Sequence, residues 1–230
     1  MKKWLISALL TLLPSVAFAA PAILSFDNPT VDGGSVVYDG AGGALFASDV
    51  IFQQVIGVNT PAHAGDSLFC YPVNCTLSFH TGDNLTEGPP SYTFGGGGLL
   101  TLTGGLNTDP GGGGTQVSPA GTLLASAGVF AEPSVVLGGG GSSLLFIGVG
   151  DDLKDVTLTD YYGVTGSGFA FANTELSLAN AVFDPTTAAF SATVTDADFA
   201  NTAVPEPGTL LLLGTGLLGF VPLLRRRRPQ

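Results

Sequence analysis

Positive charge is the scarcest property of this 230-residue chain: seven Lys and Arg stand against eighteen Asp and Glu, for a net charge of −11. A nucleic-acid partner needs a basic face, and none can be built from so few cations. Tryptophan and methionine occur once each, as Trp4 and Met1. Charged residues make up 11% of the chain while apolar residues make up 45%, a balance that excludes charge-driven disorder. The glycines have no three-residue period, which excludes collagen. Between residues 20 and 204 no segment shows a helical apolar stripe, and Gly, Thr, Ser and Phe far outweigh Lys, Glu and Arg. An ordinary helical enzyme is therefore not expected. Sequences of the type G-x-S-x-G, H-E-x-x-H and the phosphate-binding Walker loop are missing as well.

The few cations are unevenly placed. Residues 1–19 carry Lys2 and Lys3. Residues 205–230 carry Glu206 with Arg225, Arg226, Arg227 and Arg228. Residues 20–204 carry 17 carboxylates with the single cation Lys154. The body is thus far more acidic than the total, at −16. Such a surface repels nucleic acid, anionic lipid and acidic polysaccharide unless divalent ions bridge them, while neutral glycan remains compatible.

Each basic end flanks an apolar run. Lys2 and Lys3 precede the ten-residue stretch Trp4 to Leu13, Pro14 breaks it, and Ala17-Phe18-Ala19 is a small-x-small site before Ala20. This is the three-part pattern of a secretory signal peptide over residues 1–19, addressed to the secretion translocon and signal peptidase. A helix of that stretch spans about 15 Å, half a bilayer core, which disfavours a membrane anchor. At the other end, Gly208 to Leu224 is a 17-residue stretch without charge, followed at once by the four arginines. As a transmembrane helix over 208–224 it would be about 25 Å long. Arg225, Arg226, Arg227 and Arg228 would then act as a stop-transfer signal in the cytoplasm. Pro205 and Pro207 hold Glu206 in an extended segment just outside the membrane.

Val204-Pro205-Glu206-Pro207, an apolar helix and a terminal arginine cluster together resemble the PEP-CTERM sorting signal, here residues 204–228. The resemblance implies recognition by an exosortase, an integral-membrane cysteine enzyme of Gram-negative bacteria. Such an enzyme cuts near the motif and passes the protein from an inner-membrane intermediate to the cell surface, often alongside exopolysaccharide production. The tail logic parallels a GPI signal, whose hydrophobic segment is removed. A plain C-terminal membrane anchor is the competing reading. Gly214-x-Gly216-x-x-Gly219 matches a dinucleotide fingerprint but lies inside the apolar segment, where small residues serve helix packing.

Residues 20–203 are expected to form one Gly-rich acidic domain. Leu77 and Phe79 alternate with Thr76, Ser78 and His80; Phe190, Ala192 and Val194 alternate with Ser191, Thr193 and Thr195; Val156 and Leu158 alternate with Thr157 and Thr159; Phe169 and Phe171 share a face. Each reads as a half-buried strand. Further strands are expected near 23–26, 50–55, 99–103, 123–130 and 144–148. The whole predicts an all-β, antiparallel β-sandwich-like single domain flanked by the signal peptide and the sorting helix. Three GGGG runs, at Gly95, Gly111 and Gly138, read as loops, and 103–119 reads as a mobile loop or subdomain boundary.

Cys70 and Cys75 are the two cysteines, and in an exported chain such a pair is expected to be oxidised across a short hairpin. A C-x4-C metal site assisted by His63 and His80 is the alternative. Glu87, Glu132 and Glu175 are the candidates for a glycosidase carboxylate pair. Asp151, Asp152 and Asp155, or Asp196 and Asp198, are candidate oxygen ligands for Ca²⁺, but they lack EF-hand spacing and compete with a reading as solvated loop acids. The expected role is therefore that of a non-enzymatic exported protein of the envelope or extracellular matrix, structural or adhesive, with no cofactor assigned. A secreted polysaccharide-active enzyme or glycan-binding module is the alternative.

Overall fold

A computed structural model describes residues 22–30, 32–86, 91–128, 131–136, 142–147 and 152–204. The expected signal peptide, the expected transmembrane helix at 208–224 and the glycine run at Gly138 lie outside these residues. Among the described residues no helix is long and apolar enough to cross a membrane.

Among the described residues, fourteen strands and one short helix follow one another as β1 (Ile23–Asp27), β2 (Ser35–Tyr38), β3 (Ala44–Phe52), β4 (Gln54–Val58), β5 (Ser67–Cys70), β6 (Cys75–Thr86), β7 (Ser91–Phe94), β8 (Leu99–Asn107), β9 (Gln116–Gly128), β10 (Ala131–Val136), β11 (Ser142–Ile147), β12 (Asp152–Lys154), α1 (Val156–Tyr162), β13 (Gly168–Phe183) and β14 (Phe190–Val204). The all-β, antiparallel expectation holds. The sandwich does not: the strands form one sheet that closes on itself in the order β1-β14-β2-β3-β6-β7-β10-β11-β13-β12-β9-β8-β5-β4. Two extra pairings, β13 with β14 and β6 with β8, cut across this circuit. The first of them leaves an eight-stranded closed barrel, β1-β14-β13-β12-β9-β8-β5-β4, with a second lobe on its other side. Closure removes the exposed sheet edges that a sandwich would have to protect.

Period-two patterning explains which side chains face inward. In β6, Cys75, Leu77 and Phe79 are buried while Thr76, Ser78 and His80 are half-buried. β14 begins the same way, with Phe190, Ala192 and Val194 inside. Its pairing with β13 then skips Thr195, because Val194 opposes Leu178 and Asp196 opposes Ser177. That β-bulge shifts the inward set from even to odd residues, so Ala197, Phe199, Asn201 and Ala203 are buried and Asp196 and Asp198 are turned outward.

Three segments differ from the sequence expectation. Val156 to Thr159 is not a strand but the start of α1, whose N-cap Asp155 accepts from the Thr157 and Leu158 amides, and whose C-cap Gly163 is left-handed at φ 70°. The expected strand 50–55 is formed in two pieces, the end of β3 and the start of β4, broken at Gln53, whose amide donates to Asp27 O at 2.9 Å. The expected loop 103–119 is mostly strand. Its remaining turn is held by Asn107 Oδ1 accepting from Asp109 N and Thr108 Oγ1 accepting from Thr115 N.

Among the described residues, aromatic side chains cluster in each of the two lobes. In the eight-stranded barrel, Phe26 contacts Phe199 at 5.3 Å between ring centroids and Phe52 at 6.4 Å. In the second lobe Tyr38 meets Tyr92, Phe94 and Phe190 at 5.8, 5.2 and 5.9 Å.

Candidate functional site

The expected disulfide is formed, with Cα atoms of Cys70 and Cys75 5.4 Å apart. Its setting is not a hairpin, because β5 and β6 do not pair with each other. Both lie along the same edge of β8: Thr76 opposes Thr103, and Cys70 opposes Leu106. The bridge therefore joins the barrel strand β5 to the second-lobe strand β6 where β8 changes partner. A Cβ at Gly104 would stand 2.4 Å from Cys75 Sγ, so only glycine lets β8 pass beneath the bridge.

The lone cation of the body sits inside the barrel. The side chains of Lys154 and Asp152 are both 0% exposed, and Lys154 Nζ donates to Asp152 Oδ1 and Oδ2 at 2.5 and 2.6 Å. They alternate inward around Leu153, which is 70% exposed. Asn201 comes from β14 and donates through Nδ2 to the same Asp152 Oδ2. Its Oδ1 is buried and accepts no hydrogen bond from the described residues. Phe26, Phe169 and Phe199 surround the amine, with ring centroids 5.5, 5.6 and 5.2 Å from Nζ. Burial in this apolar cage lowers the Lys154 amine to about 8 against the opposing pull of Asp152. Burial likewise raises the Asp152 carboxyl, opposed by Lys154. Burial thus weakens the charged form of each group, while their mutual contact holds the charges together. A pocket of about 220 Å³ lies beside the pair, lined by Leu153, Lys154, Val156, Thr165 and Phe169 among others.

Asp152 is thereby committed to Lys154 and Asn201, and Asp155 caps α1 and accepts from Ser118 at 3.1 Å. The candidate Ca²⁺ ligands Asp152 and Asp155 thus face other partners, and Asp151 lies outside the described residues. Asp196 and Asp198 share one outer face. Asp198 opposes Asp27 on β1 and Glu175 on β13, and its carboxyl is raised by partial burial and then by Asp27, Asp196 and Glu175. Among the described residues no group of three or more His, Cys, Asp or Glu is arranged to hold a metal ion.

Of the glycosidase candidates, Glu175 is the one whose side chain is described. Glu175 faces Asp198 on the outer surface, Glu132 lies on β10, and Glu87 is outside the described residues. His63 stacks on Tyr161 at 4.1 Å and contacts Asp66 through Nδ1 at 3.0 Å. His80 stacks on Phe46 at 5.9 Å on the β3–β6 pair, away from the β4–β5 loop that carries His63. Neither lies at the disulfide, so the assisted C-x4-C metal site is not formed.

The C-terminal motif begins inside the fold. Ala203 and Val204 close β14 opposite Phe169 and Gly168, so Val204 is a strand residue rather than part of a free segment. The rest of the expected sorting motif, Pro205, Glu206 and Pro207, lies outside the described residues. So do the expected stop-transfer residues Arg225, Arg226, Arg227 and Arg228, and the expected signal-cleavage residues Ala17, Ala19 and Ala20.

Residues 203–228 match the PEP-CTERM protein-sorting motif, a span that includes Arg225, Arg226, Arg227 and Arg228. This motif marks an exported protein that is sorted to the cell envelope or surface with an exosortase as processing partner. No curated protein and no solved structure matches the chain.

Proposed function

We propose that the chain is a secreted structural or adhesive barrel of a Gram-negative envelope or extracellular matrix. In this reading the signal peptide is removed after Ala19, the tail holds an inner-membrane intermediate through 208–224, and the exosortase cuts near Pro205 to Pro207. The observation that carries the reading is the junction: the sorting motif starts at the last two residues of β14, so a cut just beyond Val204 frees the barrel with its closing strand intact. Deleting the exosortase of a producing host tests this. The chain is expected to move from the surface and medium to the inner membrane, and an unchanged distribution would overturn the sorting route.

A second reading is a glycan-binding module, favoured by Phe46, which is 58% exposed and stacked on His80 on the outer sheet face. Aromatic faces of this kind suit the apolar faces of sugar rings. Phe46→Ala is expected to abolish retention of the barrel on exopolysaccharide from the host. Equal retention of the variant would leave matrix incorporation to other surfaces and remove this reading.

A further inference from the structure

Nothing in sorting or adhesion requires the body's one cation to be buried with an acid and an amide. Three features of the Lys154 cage point to chemistry. The amine and the Asn201 amide share one oxygen, Asp152 Oδ2, so they are held within two hydrogen-bond lengths of each other. All three side chains are buried, and three phenylalanine rings pack around the amine. The residues come from β12 and β14, which flank β13 on opposite edges, so their approach is set by sheet pairing rather than by a loop. Neutral amines attack carbonyls, and held geometry of this kind replaces a bimolecular encounter with an intramolecular one.

We propose that Lys154 and Asn201 react inside the folded barrel to form an intramolecular amide cross-link between β12 and β14, with Asp152 carrying the proton. The Asp152 carboxylate takes one proton from the Lys154 ammonium. The freed lone pair on Nζ attacks Cγ of Asn201, and the Cγ–Oδ1 π pair moves onto oxygen. That attack follows half a turn of the amide about Cβ–Cγ, which exchanges Oδ1 for Nδ2 against Asp152, so that the acid proton hydrogen-bonds to the oxygen and polarises the carbonyl before Nζ reaches it. As the carbonyl reforms, Cγ–Nδ2 breaks. Asp152 gives its proton to the departing nitrogen and takes a second one from Nζ. The products are a secondary amide, one ammonia and a protonated Asp152, and no oxidant or further reactant is consumed. The reaction removes both charges from the phenylalanine cage, which is what burial of the pair favours. The neighbouring pocket, with Leu153 and Val156 exposed at its wall, gives ammonia a short way to solvent.

The test is a peptide map of the exported chain, with the disulfide reduced and the protein denatured before digestion by trypsin and an Asp-directed protease. The β12 and β14 peptides are expected as one joined species, about 17 Da lighter than their sum through loss of one ammonia, with no tryptic cut after Lys154. Separate peptides bearing a free Lys154 and an intact Asn201 would overturn the proposal. So would a loss of about 18 Da confined to the β12 peptide, which would mean that the amine had condensed with Asp152 and released water. The wild-type map decides the bond alone, and its readout does not depend on how either terminus is processed. Asp152→Asn, recovered folded with the Cys70–Cys75 bridge intact, is expected to keep the two peptides separate. A cross-linked Asp152→Asn chain would remove the proton-carrying role from Asp152.

Discussion

The two interiors of this protein are built from the same kind of sheet and filled differently. The second lobe packs Tyr38, Tyr92, Phe94 and Phe190 against one another, and the Tyr92 hydroxyl reaches the Ala188 carbonyl at 3.1 Å. The eight-stranded barrel packs Phe26, Phe169 and Phe199 around an amine, a carboxyl and an amide. The first shows that aromatic residues fill such a space without charge. Ion pairs buried in place of apolar residues are often neutral or destabilising. The polar set in the barrel is therefore not explained by packing, and reactivity supplies its purpose.

The largest way to break this contrast is Asp152→Ala. It leaves the Lys154 cation without its partner and blocks the cross-link, and is expected to cost about 3–5 kcal/mol in denaturant unfolding. Removing the bridge between the two regions with Cys70→Ser and Cys75→Ser comes next, at about 2 kcal/mol for so short a loop. In the uncharged lobe, Tyr92→Phe loses the hydroxyl to Ala188 and is expected to cost about 1 kcal/mol, with no effect on the Lys154 chemistry.

A smaller effect sharpens the comparison through pH. In Asn201→Ala the Lys154 amine stays free, at about 8 when folded against about 10.4 when unfolded. Between those values the unfolded chain binds more protons, so stability rises with pH across that interval. Asp152 is the titratable group that faces Lys154 among the described residues. Burial raises the Tyr162 hydroxyl, so beyond about pH 10 the unfolded chain loses that proton first and stability falls again. A cross-linked wild-type chain has no free amine to titrate, and its stability should not rise between about pH 8 and 10. A rise of equal size in both proteins, followed by thermal melts, would contradict the cross-link. The smallest effect lies on the outer face. The raised Asp198 holds its proton more tightly when folded, so its contribution falls as pH rises from the unfolded value of about 3.9 through the folded one. Asp196→Asn is expected to flatten that slope slightly.

Alternation of apolar and polar residues marked β6 and the first half of β14, and the even cysteine pair marked the disulfide. The tail was legible for a different reason, since its three parts occur in linear order. Closure of the sheet was not legible, because strand neighbours such as β1 and β14 are far apart in the chain. α1 was hidden because V-T-L-T alternates like a strand, although Asp155 and Gly163 bracket it as caps do. Asn201 was hidden most completely. The phase set by Phe190, Ala192 and Val194 places odd residues outside, and only the bulge at Thr195 turns Asn201 inward. Lys154 stands out in the sequence as the single cation of the body, and its D-x-K spacing acquires meaning once β12 is seen to bury every second residue.

The central claim, an exported barrel released at the end of its closing strand, is tested most directly by the intact mass of the reduced chain from an exosortase-containing host. The account predicts loss of residues 1–19 and a new C-terminus between Val204 and Pro207. A surface or matrix form that still carries Arg225, Arg226, Arg227 and Arg228 would contradict it.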